Sequence, residues 1–312
     1  MVYTVTLNPA LDCYLAPETF CIGQINRYGA SRFLPGGKGV NVSLMLSSLG
    51  VSTSALGIAA GFTGRALADM LEQAGCHTSF LFLKQGLTRL NLKLSPAGQP
   101  ETALNGAGPA LDETTLEQLE QLVATLLRPG DMLVLSGSLP QGLPVDTYAR
   151  LAKAAPQGTG LVLDASGPAL LAGLQAQPFL VKPNLEELGE LFRVRLTGEE
   201  DSLPYARKLR RRGARNVLVS MGGQGAFLLT AQGKVLRRPA LPGKEVSSVG
   251  AGDSMVAGFL HGWLQTRNLS AALDWGVSAG AATAFTQGLA EAGQVRQLYA
   301  RHFTPRPGTP QC

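Results

Sequence analysis

The spacing of apolar residues confines this chain to few architectures. Met132–Ser136, Leu161–Asp164, Phe179–Lys182 and Val217–Ser220 are short, largely apolar runs with helical segments between them. A strand buried on both faces reads as such a run, whereas a strand with one wet face alternates. Residues 2–7 read as a first strand that Asn8 and Pro9 break, and Ala55–Ile58 reads as another. Between the strands, Val40, Leu44, Met45 and Leu49 recur at helical spacing, with Gly50 as a stop. Gly64–Ala74 is also helical, and Asp112–Leu127 follows an aspartate suited to the N-cap. Strand–helix alternation of this kind predicts an α/β fold with a mostly parallel sheet covered on both faces.

Two stretches break the alternation. Residues 13–34 have no helical period, and Leu87–Leu94 alternates like a strand with one wet face. Segments at about 13–34 and 87–105 are therefore expected to form a separate small sheet. Residues 304–312, rich in proline, are expected to be a loose tail. The sequence has no internal repeat, and the expected organisation is one domain over 1–312.

Composition narrows the function. Hydrophobic residues make up 45% of the 312 and charged residues 16%, which excludes a disordered chain. The 38 glycines have no three-residue period, which excludes collagen. A net charge of +5 suits an enzyme of anionic substrates without requiring nucleic acid. The densest basic run, in a helix expected over Pro204–Arg215, reads as a solvated face, so no nucleic-acid partner is expected. Cys13, Cys21, Cys76 and Cys312 show no CxxC spacing, and His77, His261 and His302 are isolated, so no metal or redox motif is present. No signal-peptide order and no bilayer-length apolar run are found, so the expectation is a cytoplasmic protein without a membrane partner.

Three glycine-containing segments and one acidic helix start carry the chemistry. Ser247–Ser254 leads into the helical pattern Met255–Leu264. Gly250 and Gly252 leave backbone N–H groups open at a helix N-terminus, which attracts anions. Asp253 among those donors has the position of a base toward a substrate hydroxyl, or of an ordinary first-turn acid. Gly36–Asn41 (GGKGVN) is a second glycine-rich helix opening, with a cation and an amide; it is either a ligand loop or a plain turn. It lacks Walker A spacing, and no GxGxxG exists. Asn184 and Glu187 share a helix face, which suits a hydrated Mg²⁺ or a capping box. Ser220–Gly225 is a glycine turn that also admits a nucleotide near the backbone. Gly276–Gly280 matches GxSxG but lies in a helical run without a preceding strand, so Ser278 is not read as a nucleophile.

In order, TLNPALD, GGKGVN, TRLNLKL, LSGSLPQG, KPNLEEL, SMGGQG and SVGAGDS resemble the phosphofructokinase-B branch of the ribokinase-like family over nearly the whole chain. The resemblance implies a three-layer α/β/α fold with a small β-sheet lid that often forms a homodimer interface. It implies an ATP- and Mg²⁺-dependent sugar-phosphate kinase. Asp253 resembles the catalytic base, and Gly250, Ala251 and Gly252 the anion hole. Asp12, Gly37, Lys38 and Asn41 resemble sugar-binding positions. Arg89 resembles the arginine that grips the substrate phosphate, with Lys38 and Ser138 beside it. Lys182 and Asn184 resemble contacts to the ATP phosphates, and Glu187 joins Asn184 at the Mg²⁺ site. Ser220, Gly222, Gly223 and Gly225 resemble the nucleotide loop, with Ser248 on the same side. The adenine pocket matches no sharp motif.

The implied substrate is D-fructose 1-phosphate, phosphorylated at O6. Tagatose 6-phosphate differs from it in ways the sequence does not separate. A kinase of unphosphorylated sugars or nucleosides fits less well, because Arg89 and Lys38 offer a phosphate clamp. A non-catalytic sugar-phosphate sensor would have no use for Asp253 and the Asn184/Glu187 pair.

Overall fold

A computed structural model describes residues 1–304, so all but the first residue of the expected tail lies outside the described residues. The strands are β1 (Val2–Thr6), β2 (Ala10–Pro17), β3 (Tyr28–Gly36), β4 (Thr53–Ala60), β5 (His77–Leu83), β6 (Arg89–Leu94), β7 (Thr102–Asn105), β8 (Met132–Ser136), β9 (Gly160–Asp164), β10 (Leu180–Val181), β11 (Asn216–Ser220), β12 (Ala226–Leu229) and β13 (Val235–Arg238). The helices are α1 (Lys38–Ser48), α2 (Gly61–Gln73), α3 (Glu113–Leu126), α4 (Thr147–Ala154), α5 (Gly167–Gly173), α6 (Leu185–Phe192), α7 (Glu199–Arg211), α8 (Ala251–Thr266), α9 (Leu269–Ala284) and α10 (Ala292–Phe303).

The large sheet has the order β13-β12-β11-β10-β9-β8-β1-β4-β5. It is parallel from β5 to β11 and antiparallel only at the β11–β12 and β12–β13 pairs. Successive residues of its strands enter opposite cores, as pleating requires. Val5, Leu133, Leu135, Val217 and Val219 face a core shared with α3 to α7, including Leu119, Tyr148 and Leu209. Val2, Val134 and Leu218 face the other, with Met45 of α1, Phe259 of α8 and Leu273 of α9. This is the mixed α/β architecture of three layers expected from the apolar runs.

A second sheet has the order β3-β2-β6-β7. Its strands begin earlier and end later than the expected 13–34, so Asp12 lies within β2 and Gly36 closes β3, one residue before Gly37. The sequence was silent on β5, β13 and α10, while β7 falls inside the expected 87–105 segment, and two further elements differ from expectation. The strand expected at Phe179–Lys182 shrinks to β10, because Pro183 has no N–H to continue a ladder. The basic helix begins at Glu199 rather than Pro204. Glu199, Glu200 and Asp201 in its first turn suit the helix dipole, and Pro204 is carried inside.

In the reversed strand order, β1 stands between β8 and β4, so the chain leaves β1 in one direction and returns on the other side. Ligands of open α/β sheets bind beyond the strand C-termini at such a switch point. Thr6, Ser136, Asp164, Lys182 and Ser220 all stand at or just past those ends.

Candidate active site

At the N-terminus of α8 the backbone itself is the functional group. Gly250 is the N-cap, with φ +78° and no side-chain cap, so the first-turn N–H groups are left without a side-chain acceptor. A side chain there would be strained in the left-handed region, and its Cβ would fall 2.8 Å from Leu289. Asp253, in that first turn, is buried, and its Oδ2 accepts a hydrogen bond from Asn41 Nδ2 at 2.8 Å. Burial, and then the negative charge of Asp164, pushes the Asp253 carboxyl up to about 6, against the Asn41 bond and the charges of Lys38 and Lys182. A carboxylate tuned toward neutral pH is a competent general base.

Lys38 opens α1 and reaches across to other elements. Its Nζ donates to Asp164 Oδ1 at 3.2 Å and to Glu187 Oε1 at 2.9 Å. Burial would lower this ammonium, but the two carboxylates outweigh it and hold it above its ordinary value. Lys182, almost fully buried, lies 3.4 Å from the same Asp164 oxygen. At the start of α6 the capping box is present. Glu187 N–H donates to Asn184 Oδ1 at 2.7 Å, and Asn184 N–H donates to Glu187 Oε2 at 3.0 Å. Burial raises the Glu187 carboxyl, but Lys182 and Lys38 bring it below the ordinary glutamate value. It is thus an anion at neutral pH.

Two cavities meet at these charges. The larger, about 730 Å³, is lined by Lys182, Asn184, Ser220, Gly222, Gly223, Gly225, Ser248, Gly250, Ala251, Gly252 and Asp253 among others. Its far wall is apolar, with Leu241, Val277 and Phe285, and none of these was singled out in the sequence. The Pro242–Gly243 dipeptide was the available signal, because a Cβ on Gly243 would fall 2.3 Å from the Phe285 ring. Only a glycine lets these two walls approach so closely. The 222–224 turn joins antiparallel β11 and β12, so the glycine segment is both a hairpin turn and a cavity wall.

The smaller cavity, about 240 Å³, is lined by Thr6, Asn8, Gly37, Lys38, Arg89, Ser136, Gly137, Ser138, Ser166 and Glu187. Lys38 and Glu187 line both cavities. Arg89 donates from Nε to the Asn8 carbonyl at 3.1 Å and forms no ion pair among the described residues. Burial lowers its guanidinium, Asp12 raises it, and arginine stays charged regardless. Thr6 Oγ1, Asn8 Oδ1 and Ser136 Oγ are buried here without a hydrogen-bond partner among the described residues. A charged arginine and the two unpaired hydroxyls can donate to a polar anion, while the Asn8 amide oxygen can only accept, as from a hydroxyl of the same ligand.

Not every expected position lines a cavity. Asp12 and Asn41 line neither. Asp12 is held on the small sheet by Asn91 Nδ2 at 2.7 Å, and Asn41 acts through Asp253. Thr6, Asn91 and Ser136 lie inside TLNPALD, TRLNLKL and LSGSLPQG but were given no role there, and Asp164 belongs to no motif. Ser278 is buried within α9 and donates to the Asp274 carbonyl at 2.8 Å, as an ordinary helical serine does.

Residues 7–294 match the pfkB family of carbohydrate kinases. The chain is 45% identical over 300 residues to a 1-phosphofructokinase of Bacillus subtilis, covering 96% of this chain and 97% of that protein. It is 36% identical to a D-tagatose-1-phosphate kinase of Bacillus licheniformis, covering 95% and 97%. A crystal structure of phosphofructokinase-2 from Escherichia coli superposes with a TM-score of 0.89 at 34% identity, covering 96% of this chain and 98% of that one.

Proposed function

This chain belongs to the pfkB family of carbohydrate kinases, and from that premise we propose that it transfers the γ-phosphoryl group of ATP to the 6-hydroxyl of D-fructose 1-phosphate. It is a phosphotransferase with an alcohol acceptor that binds ATP and a sugar phosphate. The observation that carries the residue assignment is Asp253. It is buried at the open N-terminus of α8, beside the cations where the two cavities meet.

In this reading the sugar phosphate takes the smaller cavity, with its phosphate on Arg89, Lys38 and Ser138. Asp12 approaches the sugar from the small sheet, acting as a lid, and Gly37 shapes the floor. ATP takes the larger cavity, with its phosphates near Lys182, Asn184, Ser248 and the 220–225 segment, and its base against Leu241, Val277 and Phe285. Asp253, oriented by Asn41, accepts the proton of the 6-hydroxyl as that oxygen attacks the γ-phosphorus and ADP leaves. The N–H groups around Gly250, Ala251 and Gly252, with Lys182, offset the charge on the transferring group.

Glu187 and Asn184 fit a Mg²⁺ ion that retains most of its waters. They offer one ionised carboxylate and one amide, and no group of three or more His, Cys, Asp or Glu suited to a metal exists among the described residues. Such an ion supplies charge neutralisation on the ATP phosphates.

The exposed apolar residues Tyr28 and Phe33 of β3, Leu90 of β6 and Leu104 of β7 support a homodimer through the small sheet. Cys13, Cys21 and Cys76 are free thiols, which suits a reducing cytoplasm. No helix of the described residues is long and apolar enough to cross a membrane.

A coupled ADP-release assay tests the reading with fructose 1-phosphate, tagatose 6-phosphate, tagatose 1-phosphate and fructose 6-phosphate. The highest kcat/KM is expected with fructose 1-phosphate. The similarity to a tagatose-phosphate kinase makes the tagatose esters the second reading. Absence of turnover with all four would leave the sensor reading.

A further inference from the structure

Asp164 has no task in the transfer scheme above and belongs to no motif. It is nevertheless the carboxylate most deeply enclosed at the junction, 1% exposed, at the C-terminal end of β9. Its Oδ1 lies 3.2 Å from Lys38 Nζ and 3.4 Å from Lys182 Nζ. Its Oδ2 has no hydrogen-bond partner among the described residues, so the two ammoniums are its only close neutralising groups. Its backbone carbonyl accepts from Gly137 N–H at 3.1 Å, which ties it to the loop that carries Ser138.

The two lysines come from distant parts of the chain. Lys38 opens α1 and lines both cavities, while Lys182 follows β10 and lines only the larger one. Two ammoniums around one oxygen repel each other strongly in a buried setting, and a carboxylate between them cancels that repulsion. Its negative charge also opposes any phosphate that approaches either lysine.

We propose that Asp164 is a positioning residue that holds Lys38 toward the sugar phosphate and Lys182 toward the nucleotide from one shared carboxylate, and that in doing so it weakens ground-state phosphate binding. The inference rests on the kinase reading above. It predicts a kinetic pattern that ordinary structural damage does not give: turnover falls while phosphate affinity holds or improves. The groups facing Asp253 are Asp164 from β9, Lys38 and Asn41 from α1, and Lys182 after β10. Removing the Asp164 charge also makes Asp253 a weaker base.

The test is Asp164→Asn in the full chain. The expected result is a kcat lower by about 10- to 100-fold with KM for both substrates unchanged or lower, the mark of an interaction used in the transition state rather than in binding. The acid limb of kcat/KM moves to lower pH. Asp164→Glu keeps the charge and displaces it, so kcat falls while the acid limb stays. A kcat within about twofold of wild type, or an unmoved acid limb with both KM values raised about tenfold, overturns the proposal.

A substrate-free measurement separates this inference from the kinase reading. Asp164→Asn removes a negative charge that opposes phosphate, so the calorimetric affinity of the free protein for inorganic phosphate is expected to hold or rise. A several-fold loss of that affinity overturns the proposal even if the kinase reading stands. A wild-type protein that turns over no sugar phosphate, yet keeps or gains phosphate affinity on Asp164→Asn, refutes the kinase reading and leaves the shared carboxylate in place.

Discussion

The two cavities offer a phosphate group different partners. The larger is walled by backbone: Gly222, Gly223, Gly225, Gly250 and Gly252 stand around it, with Lys182 as its own fixed cation. The smaller is walled by side chains, with Arg89, Lys38 and Ser138 around buried unpaired oxygens. A backbone site accepts any phosphate that fits, because N–H groups carry no identity of their own. A side-chain site is specific to one anion in one place. This division explains how a chain with only 16% charged residues can bind two phosphorylated molecules. It also makes each cavity separately breakable.

The largest effect is expected where the cavities meet. Asp253→Asn should lower kcat by about 10²- to 10⁴-fold while calorimetry still detects sugar-phosphate binding. A near-normal kcat would remove Asp253 from its role. Next comes the side-chain cavity alone. Arg89→Ala should raise KM for the sugar phosphate by about 10- to 100-fold, since hydrogen bonds to charged groups contribute about 1.5–3 kcal/mol. KM for ATP should stay as it was, and equal rises in both would erase the division. On the backbone side, Gly243→Ala puts a methyl group into the Phe285 ring and should raise KM for ATP several-fold, leaving the sugar phosphate untouched. The smallest effect is in pH. With the Asp253 carboxyl pushed up to about 6, the base is protonated and idle below that value. kcat/KM should therefore fall as pH drops through about 6, and a limb near 4 would mean that its burial does not matter.

The same division decides what was legible in the sequence. Backbone sites announce themselves, because glycines at strand ends and helix starts are visible as GGKG, MGGQG and GAGD. The parallel sheet was legible too, since strands buried on both faces leave apolar runs such as Met132–Ser136. The side-chain cavity was legible in Arg89, Lys38, Ser138 and Gly37, with Glu187 singled out only for the metal. Thr6 and Ser136 are ordinary strand residues until β1 and β8 pair and set them opposite each other. Asp164 ends an apolar run and looks like a strand terminus, yet the fold brings two lysines onto it from 126 and 18 positions away. The apolar wall at Leu241, Val277 and Phe285 has no local pattern, since its members come from a loop and from α9. β5 was missed although Phe80–Leu83 is an apolar run, because its first half, His77–Ser79, is polar and it lies at the sheet edge, half-buried rather than enclosed.

In the proposed function one cavity presents a sugar phosphate to a base and the other presents ATP to the same base. The most direct measurement is ³¹P NMR of the wild-type protein with MgATP and D-fructose 1-phosphate. The expected result is loss of the ATP γ-resonance and growth of a second phosphate ester on C6 of the sugar, together with ADP. Release of inorganic phosphate without a bisphosphate, or an ester at any other carbon, would contradict it.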